Sequence, residues 1–212
     1  SQDDDSAQGV EVLKGLDVDI YAGEALCIMG SSGAGKSTLL HLLGALDRAT
    51  SGVVKFRDQD LSRLSDDQLS HFRNKSMGFV FQAHHLLGEF SALENVMMPA
   101  LIGGLSFSSS KKAAENLLVE LGLKDRLHHR PSALSGGESQ RVAIARALVR
   151  EPAVIFADEP TGNLDQKTGQ TVQRLLFDLQ IKHKVTLVAV THDPEFARKF
   201  PKVRTIRDGQ WA

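Results

Sequence analysis

The chain has 212 residues, 42% of them hydrophobic, which suits one globular domain with a sizeable core and at most a smaller subdomain. With 25 Lys and Arg against 26 Asp and Glu, the formal charge of −1 excludes the basic footprint of a dedicated nucleic-acid binder, so any polyanion it holds should be small. A single cysteine, Cys27, excludes an intrachain disulfide framework and, with no signal-like N-terminal run, leads us to expect a reducing, cytoplasmic compartment.

In chain order, the polar start with Asp3, Asp4 and Asp5 is expected to fray over the first eight residues. Leu16, Val18 and Ile20 alternate with Asp17 and Asp19, the period of a strand with one wet face. A buried strand follows at 25–29, then a glycine loop and a leucine-rich helix over 39–46. A short strand at 53–56 makes the N-terminal β part antiparallel or mixed. Ser65, followed by Asp66 and Asp67, starts a helix that leads to a strand at 77–81.

From residue 82 to 134 the pattern turns helical. Ser91 and Glu94 form a capping box, Pro99 should interrupt the helix that this box opens, and a second helix is expected over 110–121 with Gly122 ending it. The longest uncharged stretch, 95–110, is short and broken by Pro99, Gly103 and Gly104, so it does not span a membrane. Strand and helix then alternate again: helix 138–150, strand 153–157, helix 166–182, strand 185–190, helix 194–199 and a last strand near 203–206. This order implies an α/β fold, a mainly parallel sheet covered by helices, with residues 82–134 as a helical subdomain inserted between 1–81 and 135–212.

The stretch Gly30, Ser31, Ser32, Gly33, Ala34, Gly35, Lys36, Ser37, Thr38 joins a strand to a helix with the spacing G-x-x-x-x-G-K-[ST]. Such a P-loop turns backbone N–H groups around a phosphate chain, and its glycines let the backbone approach the anion. Lys36 supplies a point charge to the β- and γ-phosphates, and the Ser37 hydroxyl suits Mg²⁺. The strand at 153–157 ends in Asp158 and Glu159, where parallel sheets hold ligands. Being adjacent, the two carboxylates take different roles: Asp158 orients Mg²⁺ and Glu159 polarises the attacking water. Leu134, Ser135, Gly136, Gly137 and Glu138 open a helix whose N–H groups could meet a second anion. The pairs His84, His85 and His128, His129 lack the spacing of a metal site.

Taken together, these pieces resemble the nucleotide-binding subunit of an ABC transporter over nearly the whole chain. The resemblance makes 30–38 the Walker A loop, Gln82 the Q-loop residue, 134–138 the signature, 154–159 the Walker B strand with its base, Asp165 the D-loop acid and His192 the switch histidine. It implies the ABC ATPase version of the P-loop NTPase fold, ATP and Mg²⁺ as cofactors, and a homodimer in which Ser135, Gly136, Gly137 and Glu138 of one copy cover ATP on the other. Gln82 would sense the γ-phosphate, Mg²⁺ or the nearby water and signal to the helical insert, while His192 would hydrogen-bond the γ-phosphate. Transmembrane permease subunits would then carry the only membrane contact.

Within the family, the stretch from Gln82 through His84, His85, Leu86 and Leu87 to Glu94, Asn95 and Val96 resembles the LolD-type ATPases of lipoprotein-releasing systems. That resemblance implies LolC/LolE-like partners and a peripheral position on the cytoplasmic face of the bacterial inner membrane. The related MacB-type efflux and FtsE-type cell-division ATPases share the Pro160, Thr161, Gly162, Asn163, Leu164, Asp165 segment. A chromosome-maintenance head would carry long heptad coils between Walker A and signature, and a small P-loop kinase would have no signature. The family's adenine-stacking aromatic has no counterpart before Tyr21, which lies too close to the Walker A strand to serve, so base stacking is expected to be weak here unless an earlier segment supplies it.

Overall fold

A computed structural model describes residues 11–212, so the expected fraying of the first eight residues lies outside it. Its centre is a six-stranded sheet in the order β4-β5-β6-β1-β7-β8. The strands are β1 (Ala25–Met29), β4 (Met77–Phe81), β5 (Val154–Asp158), β6 (Thr186–Thr191), β7 (Lys202–Arg207) and β8 (Gln210–Trp211). All neighbours run parallel except β7 and β8. The antiparallel N-terminal part is a small separate pair, β2 (Lys55–Phe56) with β3 (Gln59–Asp60).

The apolar runs of the central strands follow from burial on both faces. Ala25, Cys27, Ile155, Ala157, Leu187 and Ala189 point into one core, and Leu26, Ile28, Val154, Phe156, Val188 and Val190 into the other. The first core is closed by α3 (Ala92–Ile102), α4 (Phe107–Glu120), α5 (Gly136–Leu148), α6 (Gln166–Lys182) and α7 (Pro194–Ala197). The second is closed by α1 (Lys36–Leu43) and α2 (Asp66–Ser76). Each fully buried Leu or Ile in these layers contributes about 1.5–3 kcal/mol.

Capping residues set the helix starts. Ser65 with Gln68, Ser91 with Glu94, and Ser135 with Glu138 each form a complete capping box. Ser106 caps α4 through Ser109 N, so this helix begins earlier than the expected 110. Pro99 does not interrupt α3. It lies near the end of the helix, where its missing N–H removes one bond while its carbonyl still accepts from Gly103 N and Asn74 Nδ2.

The stretch 16–20 alternates in burial as expected but forms no ladder. Two of its carbonyls are taken by side chains instead: Trp211 Nε1 and Arg204 Nη2 donate to Asp17 O, and Lys202 Nζ donates to Asp19 O. Strand register brings the ends of neighbouring strands level, pairing Met29 with Thr191, Val190 with Asp158, and Asp158 with Phe81. Four chain segments therefore leave one edge of the sheet side by side: 30–38, 82–91, 159–165 and 192–193.

Candidate nucleotide site

The first of these segments carries the phosphate loop. Gly30 leaves β1 where a Cβ would stand 2.5 Å from the Ile206 carbonyl oxygen, so no side chain fits beside β7. Gly33 and Gly35 have φ of 78° and 99°, the left-handed region that suits glycine. At Gly35 a Cβ would also meet Leu13 Cδ2 at 2.8 Å. Helix α1 starts here with Gly35 as N-cap and no side-chain hydrogen bond, which leaves its first N–H groups free for an anion.

Ser31, Gly33, Lys36, Ser37, Gln82 and Asp158, with Glu159 and His192, line one open cavity of about 810 Å³. Ser32, Gly35 and Thr38 line it too, whereas Gly30 and the buried Ala34 support the loop from behind. The Lys36 ammonium is buried and folded back, donating to Ser31 O at 2.9 Å and lying 3.9 Å from Glu159 Oε1.

Ser37 Oγ donates to Asp158 Oδ1 at 3.1 Å. Burial raises the Asp158 carboxyl above the usual range, and this hydroxyl only partly opposes the effect. A desolvated carboxylate beside a hydroxyl is a pair of hard oxygen donors that suits Mg²⁺, with phosphate and water completing the shell. Among the described residues no three His, Cys, Asp or Glu side chains gather into a metal cluster.

Glu159 sits at φ 44°, a left-handed residue that costs about 1–2 kcal/mol and turns the chain out of β5. The turn is pinned by Glu159 N donating to Val190 O at 3.0 Å. Its carboxylate is held on both oxygens: Thr191 Oγ1 donates to Oε2 at 2.9 Å, and His192 Nδ1 lies 2.8 Å from Oε1. Sequence reasoning misses Thr191. A signal for it exists, because it is the polar end of a buried strand directly before a candidate histidine.

The sequence model of the ABC transporter family matches residues 13–162 of the chain. A lipoprotein-releasing system ATP-binding protein LolD from Bdellovibrio bacteriovorus is 57% identical, covering 97% of this chain and 94% of that protein. The LolD of Pseudoalteromonas translucida is 53% identical over 97% of this chain and 89% of its own length. The chain belongs to the ABC transporter family. Among solved structures it is similar to the ATP-binding cassette MJ0796 in a dimeric post-hydrolysis state bound to ADP and Pi, at 40% identity and a TM-score of 0.86, covering 94% of this chain and 88% of that one. It is also similar to cbiO1 of Clostridium perfringens, at 29% identity and a TM-score of 0.87, over 98% and 82%. This ABC cassette is thus an ATP-binding, ATP-hydrolysing protein of the LolD type.

The signature residues do not line the cassette's own cavity. Ser135 caps α5, accepting from Glu138 N at 3.2 Å, while Glu138 Oε2 accepts from Ser135 N at 2.8 Å and its Oε1 from Arg126 Nε at 2.8 Å. These donors, the Ser135 N–H first and the Arg126 guanidinium second, lower the Glu138 carboxyl to about 2. Both Glu138 oxygens are therefore occupied within the chain. Gly136 and Gly137 are tight against the start of α6 and the residue before its cap: a Cβ on Gly137 would come 2.5 Å from Thr168 Cγ2, and one on Gly136 3.2 Å from Leu164 Cδ2.

Asp165 stands outside the cavity as the N-cap of α6, accepting from Thr168 N at 3.0 Å. Gln82 Nε2 donates to Asn163 Oδ1 at 2.8 Å, a pairing that sequence spacing does not reveal. Arg146, also missed, donates to His84 O and His85 O and so holds a turn whose residues have φ of 56° and 47°. Tyr21 is 68% exposed beneath Lys202 Nζ and does not line the cavity.

Proposed function

We propose that this cassette is the ATP-hydrolysing subunit of a lipoprotein-releasing transporter, working as a homodimer on LolC/LolE-like permease subunits at the cytoplasmic face of the bacterial inner membrane. The observation that carries the hydrolytic part is the convergence of Lys36, Ser37, Asp158, Glu159 and His192 on one cavity. The narrower part rests on the LolD relatives at 57% and 53% identity over almost the full chain. No described helix is long and apolar enough to cross a membrane, so in this reading attachment runs through the partners.

In this reading the N–H groups of 31–38 and the Lys36 ammonium hold the triphosphate. Ser37 and Asp158 would hold Mg²⁺, which neutralises charge on the β- and γ-phosphates. Lys36 and His192 now face Glu159; as phosphate oxygens enter, both have a better anionic partner, and Glu159 Oε1 becomes available to a water. That water attacks the γ-phosphorus, the bond to the β-phosphate oxygen breaks, and the water proton passes to Glu159. Thr191 keeps the other carboxylate oxygen fixed throughout.

Across the dimer, Ser135 would donate its O–H to the terminal phosphate of the partner's nucleotide while its oxygen keeps the Glu138 N–H. Residues 82–134 would act as the arm that meets the permease; the exposed Ile102 and Phe107 supply apolar surface for it. The test of chemistry is Glu159→Gln, expected to bind ATP while lowering turnover by roughly 10²- to 10⁴-fold. Near-normal turnover in that variant would remove Glu159 from the role. The transported class is tested by purifying the tagged chain from membranes, reconstituting the subunits that come with it, and measuring ATP-dependent release of an acylated lipoprotein from vesicles. Recovery of an efflux or cell-division membrane protein in place of a release system would overturn the narrower reading.

A further inference from the structure

Gln82 and Asn163 are joined by two hydrogen bonds that close a ring. Gln82 Nε2 donates to Asn163 Oδ1 at 2.8 Å, and Asn163 Nδ2 donates to the Gln82 main-chain oxygen at 3.1 Å. A main-chain carbonyl only accepts, so the Asn163 nitrogen must face it, and its oxygen must then face Gln82 Nε2. The ring thus fixes which end of the Gln82 amide is tied and which is left over. The oxygen, Oε1, accepts no hydrogen bond among the described residues, and Gln82 lines the cavity where Ser37 and Asp158 meet.

The neighbouring residue reinforces the arrangement. Gly162 lies against the Gln82 side chain so closely that a Cβ there would stand 2.8 Å from Nε2 and 3.0 Å from Cδ. The segment 159–165, which carries Glu159 at one end and the α6 cap Asp165 at the other, therefore shapes the position of Gln82 through both a hydrogen-bonded ring and a missing side chain.

We propose that Asn163 is a positioning residue for Gln82: it ties down the amide nitrogen so that the amide oxygen is the atom offered to the Mg²⁺–phosphate end of the cavity. This rests on the reading of Gln82 as a site residue. It also links two loops, since any shift of the D-loop segment at Asn163 moves the Gln82 amide without touching the nucleotide.

The experiment is a double-mutant cycle on the full chain, read by equilibrium binding of the fluorescent nucleotide TNP-ATP, first in EDTA and then across a Mg²⁺ titration. Asn163→Ala should leave metal-free affinity within about 2-fold and raise the Mg²⁺ concentration at half-effect by roughly 2- to 10-fold, the range expected for losing one or two solvent-accessible hydrogen bonds. In the Gln82→Ala background the same change should add nothing, because its target is gone. Gly162→Ala, which displaces the Gln82 amide from the other side, should reproduce the Mg²⁺ shift and provides the same cycle if Asn163→Ala does not fold. An equal shift from Asn163→Ala with and without Gln82, or none where Gln82→Ala has one, overturns the positioning role alone. Absence of any Mg²⁺ effect from Gln82→Ala overturns the site reading of Gln82 together with it.

Discussion

Two helix N-termini of this cassette, those of α1 and α5, are both read as anion sites, yet they are built in opposite ways. At α1 the N-cap is Gly35 at φ 99°, no side chain satisfies the first turn, and the nearby cation, Lys36, donates to Ser31 O and pairs at 3.9 Å with Glu159. At α5 the N-cap is Ser135 in a full capping box with Glu138, and Arg126 neutralises the box. The α1 end is completed only when a phosphate supplies the missing acceptors. The α5 end is complete by itself and keeps only the Ser135 O–H and the glycine N–H groups for a visitor. In the proposed function, one helix start is a grip, and the other is a preformed surface that meets a partner's ligand.

The sharpest way to break this contrast is to add one methyl group at each end. Gly35→Ala forces a left-handed alanine into Leu13 and is expected to weaken ATP binding by about 10- to 100-fold, measured by calorimetry on the isolated chain. Gly136→Ala meets only Leu164 Cδ2 at 3.2 Å and should leave that affinity within about 2-fold. Equal losses at both positions would erase the distinction between grip and surface.

A smaller effect tests the cap itself. Ser135→Ala removes the acceptor of Glu138 N and should cost about 1 kcal/mol, a Tm drop of roughly 2–4 °C, whereas Ser135→Thr retains the acceptor and should recover most of it. If Ser135 also acts across the dimer, Ser135→Ala subunits mixed with Lys36→Ala subunits should hydrolyse more ATP than either alone, since each heterodimer keeps one intact site. Gly137 is a poor choice for that mixture, because any side chain there strikes Thr168 before it reaches a ligand.

The smallest effect is a pH dependence. The folded Glu138 carboxyl, at about 2, lies below its ordinary value, so its contribution to stability is present above the unfolded value near 4.5 and is lost as pH falls toward 2. Glu138→Gln should therefore lower Tm by about 2 °C at pH 7 and show a shallower decline between pH 4.5 and 2. Parallel acid-melting curves for the two proteins would show that the capping carboxylate contributes nothing.

Elements whose signals are local were legible in the sequence. Strands 25–29 and 77–81 and helix 166–182 fall where the sequence pattern places them, because runs of apolar residues and helical periodicity are properties of short windows. The expected strand at 16–20 shows the limit of that reasoning. Its alternation is real, but the carbonyls of Asp17 and Asp19 are satisfied by Lys202, Arg204 and Trp211, residues far along the chain that no window of the N-terminal sequence contains. Likewise Lys36, Ser37, Asp158 and Glu159 could be named in advance from a glycine loop and a strand end, and His192 from the family resemblance, and all five line the cavity. Thr191 and Asn163 could not be given their roles, since a hydroxyl or an amide acquires one only from the atom it meets.

By itself, the sequence determined the chemistry available to this protein: a phosphate loop, a pair of acids at a strand end and a self-capped glycine-rich helix start, all fixed by residue type and spacing. The tertiary structure alone decided how these pieces meet. Parallel register sets Ile28, Val190, Asp158 and Phe81 level, with Met29 and Thr191 paired one residue further on, so that the residues following each strand share one cavity, while the helix opened by Ser135 begins elsewhere. The reason is one of range. Caps and glycine conformations are settled within a few residues, whereas the contacts of Glu159 with Thr191 and of Gln82 with Asn163 exist only after strands remote in sequence have paired.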